Sequence, residues 1–262
     1  INVDAADSPE QDRMARIRNK APFRFKQFSC SHHRSALRIG VDAVILGAWS
    51  QLVDAAAILD VGCGCGVLSL MAAQRNDKAR ILGIDIDEAS VEEASENFRL
   101  SPWPERIRAE RLSLFDMPED TKFDYIISNP PFFDSGISNP ETSRELARHQ
   151  SELSPASLLK KGSKLLAEGG KIGIVLPEEM TEEIISEAED CCLELLREMH
   201  VAGREGKAAK RCYLEFGLAF AEQANTRNEK PTPERMYLTV ETIDGGFTDE
   251  YRRLCADFYL KF

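Results

Sequence analysis

Four short apolar runs, at residues 58–61, 81–86, 125–128 and 172–176, recur along the chain with amphipathic stretches between them, and this alternation constrains the fold more than any other feature. Each run has the length and the Ile, Leu and Val content of a strand buried on both faces of a parallel sheet. The stretches 68–74, 88–100 and 154–167 space their apolar residues as helices do. The last opens on Ser154-Pro155, an N-cap followed by proline at the first helical position, and Gly169-Gly170 is expected to stop it. Strand and helix signals joined by short connections predict an α/β protein whose mostly parallel sheet is covered by helices on both faces. Residues 211–220 and 235–242 are further strand candidates, 248–260 a closing helix, and 222–234 a polar loop with two prolines.

At 262 residues the chain is long enough for one sizeable core. The expected organisation is an N-terminal arm over 1–22, without apolar periodicity and mobile, then a single domain over 23–262. Its core is expected at about 50–221 and its C-terminal strand and helix at 235–262. No apolar run reaches the ~18 to 20 residues a bilayer requires and no leader is written, so the expectation is a cytoplasmic protein without membrane contact. A first residue other than Met suggests processing or truncation. Seven cysteines without a C-x-x-C pair read as reduced thiols, so neither a metal nor a disulfide framework is expected.

The net charge of −11 argues against a polyanionic partner only until its distribution is read. The 26 residues from Arg13 to Arg38 hold eight Lys or Arg and no Asp or Glu, so that window carries +8 and leaves −19 for the rest. A second basic run, Arg204, Lys207, Lys210 and Arg211, is broken only by Glu205. Within the first window Lys26, His32, His33, Arg34 and Arg38 are candidates for phosphate contacts, which position a nucleic acid without reading its sequence.

The first apolar run leads into Asp60-Val61-Gly62-Cys63-Gly64-Cys65-Gly66. Gly62, Gly64 and Gly66 allow positive φ and a close approach of ligand to main chain. The spacing is G-x-G-x-G after an acid, not the G-x-G-x-x-G that seats a pyrophosphate. Asp60 at the mouth of such a loop repels phosphate and attracts a cation such as an α-ammonium group. Nineteen residues after Gly66, Asp85 closes the second run where a carboxylate can accept from both ribose hydroxyls. A nucleoside joined to an amino acid describes S-adenosylmethionine.

These features resemble the class I S-adenosylmethionine-dependent methyltransferases, which implies a Rossmann-like, doubly wound sheet of seven strands. Ser128-Asn129-Pro130-Pro131-Phe132, after the third run, resembles the [D/N/S]-P-P-[Y/F/W] signature of their amino-group N-methyltransferases. An exocyclic amine such as adenine N6 is a poor nucleophile, yet it carries no proton that must first be removed. Two acceptors, the Asn129 side-chain oxygen and the Pro130 carbonyl, can hold its N–H bonds so that the lone pair points at the methyl group. The prolines fix φ and remove competing donors. Phe132, with Phe133 beside it, offers a face for base stacking worth ~1 to 3 kcal/mol.

The signature serves adenine in DNA or RNA, guanine N2 in rRNA and the glutamine amide of release factors. Phe25-Lys26-Gln27-Phe28, His32-His33-Arg34 and the segment from Ile39 through Asp42 to Trp49 resemble the N-terminal block of bacterial methyltransferases that modify adenine N6 of valine tRNA beside the anticodon. The resemblance continues through Glu96-Asn97, Ser101 to Ile107, Arg144 to Arg148, Pro155 to Leu159, Val175 to Glu178 and Phe258-Tyr259-Leu260. It implies a tRNA substrate and S-adenosylhomocysteine as product; a monomer is the expectation, though nothing in the residues fixes the oligomeric state. It also implies cofactor contacts from Asp42, Ile86, Ser113, Leu114 and Asn129, with Asn129, Pro130, Pro131 and Phe132 as the catalytic set. Ser113 stands near the place of a family Asp that bonds the cofactor's adenine amine, with Asp116 three residues on, so either is a candidate. Phe132 replaces a frequent Tyr, and Val41 a common Thr. Other readings are a protein-glutamine N5-methyltransferase, an rRNA guanine-N2 methyltransferase, a non-catalytic RNA-binding module and a Rossmann oxidoreductase.

Overall fold

A computed structural model describes residues 21–35, 38–130, 153–219 and 232–262; most of the expected N-terminal arm and of the 222–234 loop lies outside them. A hairpin of β1 (Phe23–Arg24) and β2 (Ser29–Cys30) precedes one large sheet. The sheet comprises β3 (Ala57–Val61), β4 (Arg80–Asp85), β5 (Ile107–Arg111), β6 (Phe123–Ser128), β7 (Leu166–Pro177), β8 (Leu193–Arg204), β9 (Arg211–Leu218) and β10 (Glu234–Glu241). The strand order is β10-β8-β9-β7-β6-β3-β4-β5, with β9 antiparallel to both neighbours and every other pairing parallel. Among the described residues this sheet thus has eight strands, one more than the seven expected, because β10 adds itself in parallel to the outer side of β8.

Sequence order runs outward from β3 through β4 to β5, then returns to start again at β6. The junction of β3 and β6 is therefore the topological switch point, where an open α/β sheet leaves a crevice outside its carboxyl ends. Alternate side chains of each central strand feed separate cores. Ile58, Ile81, Tyr125 and Ile127 join the core built with α1 (Val41–Trp49), α2 (Val67–Arg75), α3 (Glu88–Leu100) and α6 (Asp249–Cys255). Leu59, Leu82, Ile84 and Ile126 join the core under α4 (Pro155–Leu165) and α5 (Thr181–Asp190).

Several expected boundaries are corrected. The helix expected over 154–167 ends at Leu165, and Gly169-Gly170 lie inside β7, where Gly169 takes φ 74°. The pairing with β6 slips there, between Phe123 and Tyr125, so the glycines absorb an irregularity instead of stopping a helix. The closing helix spans only Asp249–Cys255, and the strand expected over 211–220 ends at Leu218.

Two tertiary ties hold helices and terminal segments to this sheet. Glu215 on β9 is fully buried. Its Oε2 accepts from the Tyr125 hydroxyl at 2.6 Å and the Gln51 amide at 3.0 Å, while Arg197, stacked on the Trp49 ring at 4.4 Å, lies 3.5 Å from Oε1. The end of α1 is thereby locked to three strands. At the other end of the domain, Phe25 stacks on Phe28 and on Tyr259, and Phe28 meets the edge of Trp103. Three separate segments of the family resemblance are one aromatic cluster in space.

Candidate active site

The turn after β3 is built by its glycines. Gly62, Gly64 and Gly66 all have positive φ, at 68°, 53° and 82°. The amides of Gly62 and Cys63 both donate to Ile84 O, at 2.9 and 3.0 Å, which pins the loop against β4. Gly66 is the N-cap of α2 and has no side chain to cap with. Asp60 fills that role: its Oδ2 accepts from the amide and hydroxyl of Ser69 at 3.0 and 2.7 Å. The sequence reading puts Asp60 at the loop's mouth; its side chain is fully buried. Its Oδ1 is buried with no partner among the described residues. Burial is the largest influence on this carboxyl and lifts it to about 7, against the Ser69 hydrogen bonds and with the help of the Asp85 charge.

Asp85 ends β4 facing a crevice of about 1180 Å³ at the carboxyl edge. Oδ2 accepts from the Gly64 amide at 2.9 Å and Oδ1 from the Asp87 amide at 3.0 Å, so the carboxylate is fixed in orientation while each oxygen keeps a lone pair. Burial raises its pKa, and the amides of Asp87 and Gly64 oppose the rise. Gly62, Ile86, Ser113, Leu114 and Asp116 line the same crevice. The Ser113 hydroxyl accepts from the Phe115 amide at 3.3 Å as the cap of a short 3-10 turn, Leu114–Asp116, so both candidates for an adenine contact are presented to the cavity.

Asn129 and Pro130 follow β6 directly, at the same edge, with Asn129 half-buried and Pro130 buried. The preceding residue sets their place: the Ser128 hydroxyl donates to Val61 O at 2.8 Å, fastening the end of β6 to the residue that opens the glycine loop. Pro131 and Phe132 lie outside the described residues.

The segment of residues 31–35 is anchored by two residues one turn apart on α3. The Glu93 carboxylate accepts from the amides of His33, Arg34 and Ser35 and from the Ser35 hydroxyl, at 2.7 to 3.2 Å. Asn97 accepts from the Ser31 amide at 2.9 Å and donates to both Ser31 O and Cys65 O at 2.8 Å. Asn97 therefore ties this segment to the glycine loop. Sequence reasoning singles out neither residue for this role, although two polar side chains at i and i+4 beside buried Ala94 and Phe98 are a readable sign of it.

Burial raises the Glu93 carboxyl, but the Ser35, His33 and Arg34 hydrogen bonds outweigh it and the net direction is down. A depressed folded pKa gives stability that is present above the unfolded value of about 4.3 and lost as pH falls below it. Glu93→Gln turns an amide donor toward these N–H groups, and is expected to destabilise by about 1 to 3 kcal/mol at neutral pH. In urea titrations the gap should narrow below about pH 4; a gap independent of pH would contradict this account.

The candidate phosphate contacts divide. Lys26 Nζ donates to Ala256 O at 2.5 Å and Phe262 O at 3.0 Å, and Arg34 pairs with Glu96 at 2.5 Å, so both side chains are committed to this chain. His32 Nδ1 accepts from the Ile39 amide at 3.0 Å, and its ring lies beside His33 at 5.1 Å. Burial lowers the His32 pKa, followed by the charges of His33 and Arg38. His33 and Arg38 are exposed. Asp42, in the first turn of α1, pairs with Arg211 at the start of β9 at 2.9 Å, which removes Arg211 from the free charge of the second basic run.

An orphaned buried carboxylate oxygen suits an ammonium group, and an oriented carboxylate on a crevice wall suits a ribose, so these residues fit S-adenosylmethionine. A doubly wound sheet with such a loop after its first strand and an Asn-Pro-Pro after its fourth is the arrangement of class I S-adenosylmethionine-dependent methyltransferases. The fold is shared with solved structures. A predicted O-methyltransferase from Agrobacterium tumefaciens aligns at a TM-score of 0.57 with 17% identity, covering 83% of this chain and 96% of that one. A methyltransferase from Pyrococcus furiosus also gives 0.57, with 19% identity over 80% and 99%.

Residues 43–201 match the family model described as the methyltransferase small domain. The tRNA1(Val) (adenine(37)-N6)-methyltransferase of Parabacteroides distasonis is 38% identical over 91% of this chain and 98% of its own length. The protein of the same name from Actinobacillus succinogenes is 36% identical over 92% and 98%. The chain belongs to this family of methyltransferases.

Proposed function

We propose that the chain transfers a methyl group from S-adenosylmethionine to N6 of an adenine beside a tRNA anticodon, the position its relatives' names give as adenine 37 of tRNA1(Val). The reading rests on one observation: the Ser128 hydroxyl fastens the end of β6, just before Asn129, to Val61 at the mouth of the crevice that Gly62 and Asp85 line. S-adenosylmethionine supplies a methyl group on a positive sulfur, electrophilic as it binds. What is left for the chain is to hold the amine still and aim it.

The Asn129 side-chain oxygen and the Pro130 carbonyl accept the two N6–H bonds, pyramidalising the nitrogen with no base needed before attack; as the N–methyl bond forms the methyl–sulfur bond breaks to leave S-adenosylhomocysteine, and one N6 proton passes to solvent. Phe132 stacks on the extruded base, which is cheap to reach in a loop already outside a continuous duplex. Asp85 receives the ribose, Ser113 or Asp116 the adenine amine, and Asp60 the ammonium. His33 on the anchored segment and Arg38 beyond it, both exposed, meet tRNA phosphates.

The assay that tests the reaction supplies unmodified total tRNA and labelled cofactor, then digests to nucleosides. N6-methyladenosine is the expected product. Label in N2-methylguanosine, or in a release factor and not in RNA, would replace the proposal with one of its rivals.

Asp60 gives a second test. Because burial lifts this carboxyl to about 7, a proton competes with an incoming ammonium near neutral pH. Affinity for the cofactor should therefore rise from about pH 6 to about pH 8, with proton release on binding, and Asp60→Asn should flatten the profile. Calorimetry in buffers of different ionisation enthalpy measures the released proton, and its absence would exclude this role for Asp60.

A further inference from the structure

At the far side of the same sheet edge lies a cluster that methyl transfer does not use. Glu178 just past β7, His200 on β8 and Cys212 on β9 offer ligand atoms that all lie within 4.8 Å of one another. They are distant in sequence, so no motif spacing announces them. His200 Nδ1 faces Glu178 Oε1 at 2.7 Å, while Nε2 faces Glu198 Oε2 at 3.3 Å, and Arg235 holds Glu198 at 2.6 Å. One oxygen here, Glu178 Oε2, is buried without a partner among the described residues. Thr181, itself 7% exposed, opens α5 beside the Cys212 thiol.

We propose that this cluster is a zinc site, with Cys212 Sγ, His200 Nδ1 and the Glu178 carboxylate as ligands and a fourth position toward the Thr181 hydroxyl. Thiolate with imidazole is a donor set that selects zinc over magnesium or calcium, which take oxygen ligands. A carboxylate behind the imidazole is the usual device for placing the ring proton on the nitrogen away from the metal, and Glu198 stands there.

A tetrahedral ion with bonds of ~2.0 to 2.3 Å sets its donors ~3.3 to 3.8 Å apart, so the widest pair closes by about an ångström, while His200 Nδ1 and Glu178 Oε1, 2.7 Å apart, open as Glu178 turns from the imidazole to the ion. Binding displaces the thiol proton to solvent and leaves the imidazole proton on Nε2, facing Glu198. The ion enters past Glu178 and His200, whose side chains are 31% and 14% exposed. Its effect is structural: it staples the ends of β7, β8 and β9, next to the Arg211 that pairs with Asp42.

The experiment uses the full chain, stripped with a chelator and checked by circular dichroism for an intact fold. Zinc is titrated against a chromophoric chelator, and cadmium is added separately to read thiolate charge-transfer absorption. The expected result is about one ion per chain, a cadmium–thiolate band, and a rise in Tm with zinc. Cys212→Ser should abolish the band, and His200→Gln and Glu178→Gln should each weaken zinc binding by about tenfold or more. The paired Cys191→Ser and Cys192→Ser variant should leave the band in place. Absence of stoichiometric binding, a band that survives Cys212→Ser, or one lost with Cys191 and Cys192 would overturn the proposal. If Cys212→Ser does not fold, unchanged zinc affinity in the His200 and Glu178 variants overturns it alone. None of these readouts depends on methyl transfer.

Discussion

Asn129→Ala is expected to lower kcat for tRNA methylation by about 10²- to 10³-fold, the loss typical when one preorganised polar contact to a reacting group is removed. Cofactor affinity should change far less, because Gly62 and Asp85 keep their positions through bonds that do not involve Asn129. The split comes from the role of Asn129 in the proposed reaction: it accepts an N–H bond that strengthens as nitrogen pyramidalises, so its removal falls on the transition state. Ser128→Ala, which loosens the fastening to Val61 without removing the acceptor, should fall between the variant and the parent. Single-turnover kinetics with saturating cofactor measures both. A parental rate in Asn129→Ala would mean that residue 129 does not touch the amine.

The second large effect is on folding. A Cβ at Gly66 would lie 2.3 Å from Phe98 Cε1 and 2.6 Å from Cζ, and Phe98 is 2% exposed, with nowhere to move. The left-handed φ of 82° adds strain for any residue with a side chain. Together these should make Gly66→Ala destabilising by about 2 to 5 kcal/mol. Gly64 shares the left-handed φ but has nothing within 4 Å of its Cβ position, so Gly64→Ala isolates the backbone strain, about 1 to 2 kcal/mol. Urea denaturation of the pair separates steric from conformational causes; equal losses would show that Phe98 yields.

The sequence displays the parts of this molecule whose residues signal their surroundings directly. Strands β3, β4, β6 and β7 are nearly all apolar because both faces are covered, and the glycine loop needs residues that no other chemistry replaces. β5 escapes such a reading because Arg108, Glu110 and Arg111 make an edge strand look like a loop. β8 escapes it for a different reason: its Arg197 and Glu198 meet opposite charges across the sheet and its His200 faces Glu178, which hides a strand behind a polar composition. Helix α1 is buried over Ala43 to Trp49, so it has no polar face and no helical period to detect. Within the site, Asp60 and Asp85 can be picked out by spacing, whereas the Glu93 and Asn97 anchors depend on a segment some 60 residues away. The phosphate candidates Lys26 and Arg34 show the limit of reading charge alone: a basic side chain in a basic window can still be a tie within the chain.

Strand β9 has a bearing on how the protein comes off the ribosome. It reverses direction to slot between β7 and β8, and it supplies the partners of groups made much earlier: Glu215 for Tyr125 and Gln51, Arg211 for Asp42. A nascent chain that has emerged only through α5 holds a tyrosine hydroxyl and a main-chain amide facing a slot that is still vacant, and the start of α1 lacks its counter-charge. Synthesis proceeds at about 5 to 20 residues per second, so the first half waits several seconds for the insertion that completes it. The carboxyl edge is thus completed only after β8 and β9 have both emerged, by the strand that, among those described in the large sheet, runs against the rest.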